Sequence, residues 1–260
     1  ATGLKQKILV FTDRLTCACA THIVPEGEGV KNDLMRFGIT RKPLRVLGHG
    51  NVRGIDLDHY RRDAPGVDQA AAAIRRKGVF TFVFIGRMVA DKGVNELVEA
   101  FAALNRECPA TRLILVGPDK QTDDPLRPET EADIDRNQAI EPVGRQTDVR
   151  PWLAAADALI LPSYREGFPN VVIEAGAMGL PSIVTDINGS REIITEGENG
   201  LIVTPRNSGA LLEAMRRLAT DSALAATLAA NARSMVASRF EQSYVRRCLK
   251  EFYNEILSQR

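Results

Sequence analysis

The sequence predicts an α/β protein built on a doubly wound parallel sheet, and three observations support this class. From residue 79 onward, short β-branched and aliphatic runs alternate with segments of helical periodicity, which is typical of βαβ units. The chain has 260 residues, 44% of them hydrophobic, and can bury one large core together with a smaller fragment. Six of the runs are of the buried type, which is enough for one such sheet.

The six predicted strands follow one another through residues 79–205. Each is an apolar run that ends at a glycine, a proline or a polar residue. In chain order the runs are VFTFVFIG, TRLILVG, AIEPVG, ALILPS, PSIVTD and GLIVTP. Connecting helices are predicted at 92–107, at 148–156, from Pro169 onward and near Ser190. The polar segment 119–136 is predicted to be a loop that leads into an exposed helix.

The two flanks of this region have a different character. Residues 1–65 hold two apolar runs, KILVFTD and THIVP, a helix-like stretch at 31–37 and a glycine-rich passage. They provide about half of the roughly 100 residues that a second domain of this class needs. After Pro205 three helical patterns follow. We therefore predict a remnant of another domain with a linker at 1–65, the doubly wound domain at 66–239 and a C-terminal helix at 240–260.

Composition narrows the possible functions. The 34 basic and 33 acidic side chains give a net charge of +1, which provides no general attraction for nucleic acid. The four cysteines and three histidines lack the spacing of metal ligands, and unpaired cysteines suit a reducing compartment. No apolar run approaches the roughly 20 residues of a membrane span, and the first residues do not resemble a signal peptide. These features predict a cytoplasmic protein without metal or cofactor.

Two cations follow the first predicted strand. Ligands of open α/β sheets bind outside the carboxyl ends of the strands. Arg87 comes directly after the first strand, and Lys92 stands at the start of the next helix, where the free amides already favour anions. A diphosphate needs this counter-charge. A cation at such a position is nevertheless more often simply solvated.

Two glutamates follow the fourth predicted strand, within SYREGFPNVVIEAGAMGLPSIVT. Glu166 lies in a loop and Glu174 lies in a helix, and Gly167 allows a ligand to approach the backbone closely. Asn170, Val171 and Val172 supply free amides at the helix start, and Glu174 leans back toward that end. A carboxylate there holds vicinal hydroxyls or, more simply, complements the helix dipole.

These motifs carry a resemblance to a known family. The segments IGRMVADKG, LILVG, ADALILPSYREGFPNVVIEAGAMGLPSIVTD, GSREII and ENGLIV resemble family-four glycosyltransferases of the GT-B fold, over about residues 79–205. VLGHGNVRGIDLDHY is similar to the passage that joins the two halves of bacterial polysaccharide-assembly members. The resemblance implies the Rossmann-like C-terminal half of a GT-B fold. It implies metal-independent transfer of a hexose, with retention of configuration, from a nucleotide sugar to a saccharide or lipid-linked acceptor, and we favour UDP as the nucleotide.

The resemblance also implies roles for single residues. Glu166 is expected to contact the transferred hexose and Glu174 to hold the ribose diol, while Arg87 and Lys92 bind the diphosphate. Glu166, Arg87 and Lys92 are the expected catalytic residues. The loop VGRQTDV matches the family's base-reading loop, so Arg145 is expected to act mainly through its backbone. The remaining expected contacts are Gly117, Gly167, Phe168, Asn170 and Val171.

Several alternatives stay open. The passage GHGNVRG lacks the spacing of a dinucleotide fingerprint. Asp133 and Asp135 lie on a polar helix pattern and are interpreted as a solvated face. Paired glutamates also serve glycoside hydrolases, which have no need for a diphosphate clamp. A nucleotide-sugar-binding module without turnover and a nucleotide-sugar epimerase remain possible, because the acceptor side is short here. A basic cluster on the last helix suits peripheral membrane contact, although a solvated face is the simpler interpretation; its residues are Arg246, Arg247 and Lys250.

Overall fold

The computed structural model describes residues 3–118 and 123–258, with the side chain of residue 5 excepted. Its centre is a six-stranded sheet in the order β3-β2-β1-β4-β5-β6, and every neighbouring pair is parallel. The strands are β1 Phe80–Ile85, β2 Thr111–Val116, β3 Ile140–Pro142, β4 Ala158–Leu161, β5 Ser182–Thr185 and β6 Gly200–Val203. The predicted doubly wound sheet is confirmed, strand by strand.

The strand order places a crevice at the middle of the sheet. β1 and β4 are neighbours, with Val83 opposite Leu159, although two other strands separate them in the chain. From β1 the chain proceeds to one side of the sheet and from β4 to the other. Doubly wound sheets bind ligands at such a switch point, outside the carboxyl ends of the strands.

Helices precede, cover and follow the sheet. They are α1 Gly3–Cys19, α2 Glu28–Arg36, α3 Val67–Ile74, α4 Val94–Glu107, α5 Pro128–Arg136, α6 Arg150–Ala155, α7 Asn170–Ala177, α8 Ser190–Ile193, α9 Ser208–Thr220, α10 Ser222–Phe240 and α11 Gln242–Ser258. The predicted helices are present with shifted ends: Lys92 closes a separate 3-10 turn before α4, and Pro169 is the N-cap of α7. The apolar run KILVFTD lies inside α1.

The core lies between the sheet and these helices. Phe82, Phe84 and Phe101 are fully buried, and each contributes roughly 1.5–3 kcal/mol through the burial of its side chain. Phe168, in the loop after β4, packs edge-to-face on Phe240 at a centroid distance of 5.6 Å. This contact fixes the loop after β4 against the end of α10.

The segment 46–65, called the linker below, precedes α3 and is hydrogen-bonded to the domain that follows it. The Ile55 amide donates to the Phe240 carbonyl at 2.8 Å, and the Gln242 amide donates to the Ile55 carbonyl at 2.9 Å. The Arg233 guanidinium donates to the carbonyls of Leu57 and Tyr60 at 2.9 and 2.7 Å. The predicted boundary between residues 65 and 66 stays a prediction, and part of the stretch before it contributes to the core.

The remaining predicted features are exposed or lie outside the described residues. Four residues of the polar loop, 119–122, are outside the described part. Asp133 and Asp135 are exposed on α5, as expected of a solvated face. The described ranges contain no helix with both the length and the apolar character that a bilayer crossing requires.

Candidate functional site

The two predicted phosphate-binding cations lie at the crevice but differ in their surroundings. Arg87 follows the end of β1 by two residues and is exposed, and in the described part of the chain no group hydrogen-bonds or ion-pairs with its side chain. Lys92 is half-buried and precedes Gly93, the left-handed N-cap of α4. A Cβ on Gly93 would lie 2.1 Å from the Pro162 carbonyl oxygen. Glycine therefore lets the start of α4 touch the end of β4.

This close approach brings Lys92 to one of the two predicted glutamates. The Lys92 Nζ atom lies 2.5 Å from Glu166 Oε1, and the two side chains are 19% and 16% exposed. A charge-assisted hydrogen bond of this kind is roughly twice as strong as a neutral one. The sequence placed these residues in one site, and the structure joins them directly across the switch point.

The backbone at the end of β2 approaches the end of β1 closely. The Gly117 amide donates to the Gly144 carbonyl at 3.0 Å, and a Cβ on Gly117 would lie 1.8 Å from the Gly86 carbonyl oxygen. Only glycine fits there. Arg145, next to Gly144, is exposed in the loop after β3. Gly117 and Arg145 thus border the crevice on its β2–β3 side.

The start of α7 faces the same crevice. Gly167 is exposed, whereas the Phe168 side chain is buried in the core, so only its backbone is available to a ligand. The amides of Asn170 and Val171 have no acceptor among the described residues, but the prediction of a free Val172 amide was wrong, because it donates to the Pro169 carbonyl at 3.0 Å. Helix N-terminal amides in this state attract anions. Val171 packs on the core with its side chain and keeps the helix start in place.

Glu174 lies one turn further along α7 and is contacted by residues of the linker. Its side chain is 13% exposed, and its Oε1 atom lies 3.7 Å from the Arg53 guanidinium. Burial raises the pKa of the Glu174 carboxyl, while hydrogen bonding by the Tyr60 hydroxyl and the charge of Arg53 lower it. Burial, followed by the Glu174 charge, raises the pKa of Tyr60 to about 12. Tyr60 is therefore a neutral donor beside the carboxylate.

The linker also contacts the loop that follows β3. Arg150 Nη1 lies 3.3 Å from His59 Nδ1 and donates to the His59 carbonyl at 3.2 Å. The same guanidinium is held by Asp148 through hydrogen bonds of 2.6 to 3.1 Å. Arg150, the first residue of α6, thus joins the linker to the loop 143–149, which was predicted to read the base. This junction lies beside Glu174.

A cavity of about 420 Å³ opens on the other side of Glu166. One wall is Glu166 and Asn188, and the opposite wall comes from α1, α2 and the residues after α2. Asn188 donates to Asp33 of α2 at 2.7 Å. Phe37, on the same wall, is 48% exposed. The cavity combines carboxylates, an amide and an aromatic ring next to the predicted hexose contact.

The predicted site residues all lie in segments that follow the carboxyl ends of the strands, and the structure joins two of them, Lys92 and Glu166, directly. It also places Arg53 and Tyr60 beside Glu174, and Asn188 beside Glu166, three residues that sequence reasoning did not single out. Arg53 and Tyr60 lie in the passage that resembles the junction between the two halves of family members, whereas no signal in the sequence pointed to Asn188. Among the residues described, no group of three or more metal-ligating side chains is arranged to hold an ion.

Replacing Glu174 by glutamine is expected to raise the free energy of unfolding by roughly 1 kcal/mol at pH 8, because a buried carboxylate no longer loses its hydration. A raised folded-state pKa destabilises the wild type above that pKa, and this penalty disappears as the pH falls below the ordinary value of 4.5. Urea denaturation at pH 8 and pH 4 measures the difference. Glu99→Gln, at an exposed position of α4, is the control and should change stability at neither pH.

Comparisons with known proteins identify the family to which this sequence is similar. A family model described as glycosyl transferases group 1 covers residues 79–221. The capsular polysaccharide biosynthesis glycosyltransferase CapM of Staphylococcus aureus is 25% identical over 99% of this chain and 67% of its own length. Glycogen synthase of Mycobacterium tuberculosis is 31% identical over 72% of this chain and 46% of its own length. The chain thus spans between about half and two thirds of these relatives.

Solved structures show the same fold. HepE of Anabaena, in complex with UDP and glucose, has a TM-score of 0.81 at 22% identity, over 96% of this chain and 67% of that one. Sucrose-phosphate synthase of Thermosynechococcus elongatus has a TM-score of 0.83 at 22% identity, over 100% of this chain and 65% of that one. Since the family model matches more than half of the residues, the chain belongs to the glycosyl transferases group 1 family.

Proposed function

We propose that this chain binds a nucleoside diphosphate sugar, with UDP as the favoured nucleotide, and forms the donor side of a hexosyltransferase. The observation that carries the proposal is the Lys92–Glu166 pair, which spans the switch point beside the free amides of α7. It places a cation suited to a diphosphate in direct contact with a carboxylate suited to a sugar hydroxyl. Glu174 lies in the same helix and supplies an acceptor for the ribose diol.

In the proposed reaction the bond from the anomeric carbon to the β-phosphate oxygen breaks, and a bond from that carbon to an acceptor oxygen forms. The proton of the acceptor hydroxyl passes to water, and the nucleoside diphosphate leaves with the bonding electron pair and therefore with an added negative charge. Arg87, Lys92 and the α7 amides stabilise this leaving group without a metal. Glu166 orients the hexose, and its Oε1 atom lies 2.5 Å from the Lys92 ammonium.

The cavity between Glu166 and α2 is the proposed place of the saccharide acceptor. Asp33 and Asn188 offer polar partners for hydroxyl groups, and the exposed Phe37 ring offers an apolar face for a sugar ring. Holding an acceptor near the donor contributes up to roughly 7–11 kcal/mol to such reactions. Two similar proteins support the proposed function. CapM is a glycosyltransferase of capsular polysaccharide biosynthesis, and the structure of HepE is a complex with UDP and glucose.

Four features of the function stay predictions. They are retention of configuration, a lipid-linked acceptor, peripheral membrane contact and a cytoplasmic location. The anomeric outcome is read directly from the product by the proton coupling of the new glycosidic bond. The base is identified by calorimetric titration of this chain with UDP, GDP and ADP and with their glucose conjugates. Tightest binding of UDP-glucose supports the proposal, and no binding of any nucleotide contradicts it.

The two glutamates are expected to separate nucleotide binding from sugar binding. Glu174→Ala should weaken UDP itself, because the ribose loses its acceptor. Glu166→Ala should leave UDP affinity nearly intact, since it frees Lys92 for the diphosphate, but should reduce the preference for UDP-glucose over UDP. Calorimetry with both ligands measures this preference. If the two variants exchange these effects, the roles assigned to the carboxylates are wrong.

A further inference from the structure

A linker residue reaches the carboxylate that we assign to the ribose. Arg53 stands outside residues 79–205, which carry the family motifs, and its guanidinium lies 3.7 Å from Glu174 Oε1. The two side chains differ in environment, since that of Arg53 is 62% exposed and that of Glu174 is 13% exposed. The arginine therefore approaches the carboxylate from the solvent side of the site.

The backbone around Arg53 is fixed rather than free to place the side chain elsewhere. Asn51 is 2% exposed and adopts a left-handed φ of 55°. Its Nδ2 atom donates to Asn170 Oδ1 at 2.8 Å, and its Oδ1 atom accepts from the Gly54 amide at 2.8 Å. A Cβ on Gly54 would lie 2.8 Å from the Cα atom of Gln242. Arg53 is thus held between two anchored residues, one of which is bonded to the start of α7.

The contact with Glu174 suits an ion pair that leaves room for a ligand. At 3.7 Å the guanidinium is too far away for a hydrogen bond, so it does not use the carboxylate lone pairs. An ionised carboxylate offers about four such sites. Burial opposes the charge of Glu174, while Arg53, Tyr60 and His59 are the surrounding groups that favour it. All three belong to the linker.

We propose that Arg53 is a positioning residue that keeps Glu174 a charged, oriented acceptor for the ribose hydroxyls of the donor nucleotide. The inference rests on the proposed function. This role of Arg53 makes the linker part of the nucleoside site, although the residues proposed to bind the nucleotide directly lie on the sheet domain.

The test compares UDP with 2′-deoxy-UDP by calorimetry at pH 6 and pH 8, in the wild type and in Arg53→Met. The variant should bind UDP about threefold to fivefold more weakly at pH 6, the range of an ion pair with one exposed partner. The loss should be smaller at pH 8 than at pH 6, because the Arg53 charge favours the carboxylate form of Glu174 against burial, and a higher pH favours the same form. The preference for UDP over the 2′-deoxy nucleotide should fall at pH 6.

Two further variants separate positioning from folding. Arg53→Lys restores the charge and should recover most of the UDP affinity at pH 6. Arg61→Met removes an exposed arginine of the same linker, one that pairs with Asp63, and should change neither affinity nor its pH dependence. If Arg53→Met binds UDP as tightly as the wild type at both pH values, or more tightly, the proposed role is overturned. A wild type that binds no nucleotide overturns the proposed function itself.

Discussion

Replacing both Arg87 and Lys92 by alanine is expected to weaken UDP binding by roughly 2–4 kcal/mol, by analogy with charge-assisted hydrogen bonds. Binding of uridine should hardly change, because it has no phosphate. Calorimetry with both ligands measures the contrast. An equal loss for uridine and UDP would show that the pair supports the structure of the site and does not bind the diphosphate.

Two controls sharpen this result. The double substitution Arg246→Ala and Lys250→Ala removes two exposed charges from α11 and should leave UDP affinity unchanged, which excludes a general effect of net charge. The single variants should also differ. Lys92→Ala leaves the Glu166 carboxylate without its partner in a half-buried site, whereas Arg87→Ala removes an exposed side chain. Lys92→Ala is therefore expected to lower the melting temperature as well, and Arg87→Ala is not.

Gly93→Ala is expected to destabilise the protein by about 2–5 kcal/mol and to reduce UDP affinity. The residue has a φ of 71°, which costs an alanine about 1–2 kcal/mol, and the new Cβ would lie 2.1 Å from the Pro162 carbonyl oxygen. The start of α4 must then move away from β4, and Lys92 moves with it. Urea denaturation gives the stability change, and calorimetry gives the change in UDP affinity.

Gly66→Ala is the matched control for this substitution. Gly66 is also a left-handed helix N-cap, with a φ of 78°, but a Cβ there meets no atom within 4 Å. It should show the backbone cost of about 1–2 kcal/mol alone. If both variants lose the same stability, the contact between Gly93 and Pro162 contributes nothing measurable.

The sheet and most of the site were predictable from sequence because their signals are local. Each strand is a short apolar run, and the strand ends carry Arg87, Lys92, Glu166 and Glu174 in positions where parallel sheets bind ligands. The run KILVFTD shows the limit of this reasoning. It is rich in residues that favour strands, yet it lies within α1, where most of its side chains are exposed.

The linker contribution could not be predicted because no local pattern encodes it. Asn51 and Asn170 meet through a side-chain hydrogen bond across more than a hundred residues of chain. Arg53 is a single arginine within the glycine-rich passage GHGNVRG, and an arginine in such a passage is usually solvated. Only the three-dimensional path of the linker, bonded to Phe240 and Gln242, brings it to Glu174.

The strand order has a consequence for how the protein folds. β1, β2 and β3 form one half of the sheet from consecutive strands, and β4, β5 and β6 form the other half. Within the sheet the two halves pair through β1 and β4, a pairing of high sequence separation that closes a long loop. Lys92 belongs to the first half and Glu166 to the second. In the proposed site a nucleotide contacts both halves, so its binding is expected to report the completed sheet and to stabilise only that state.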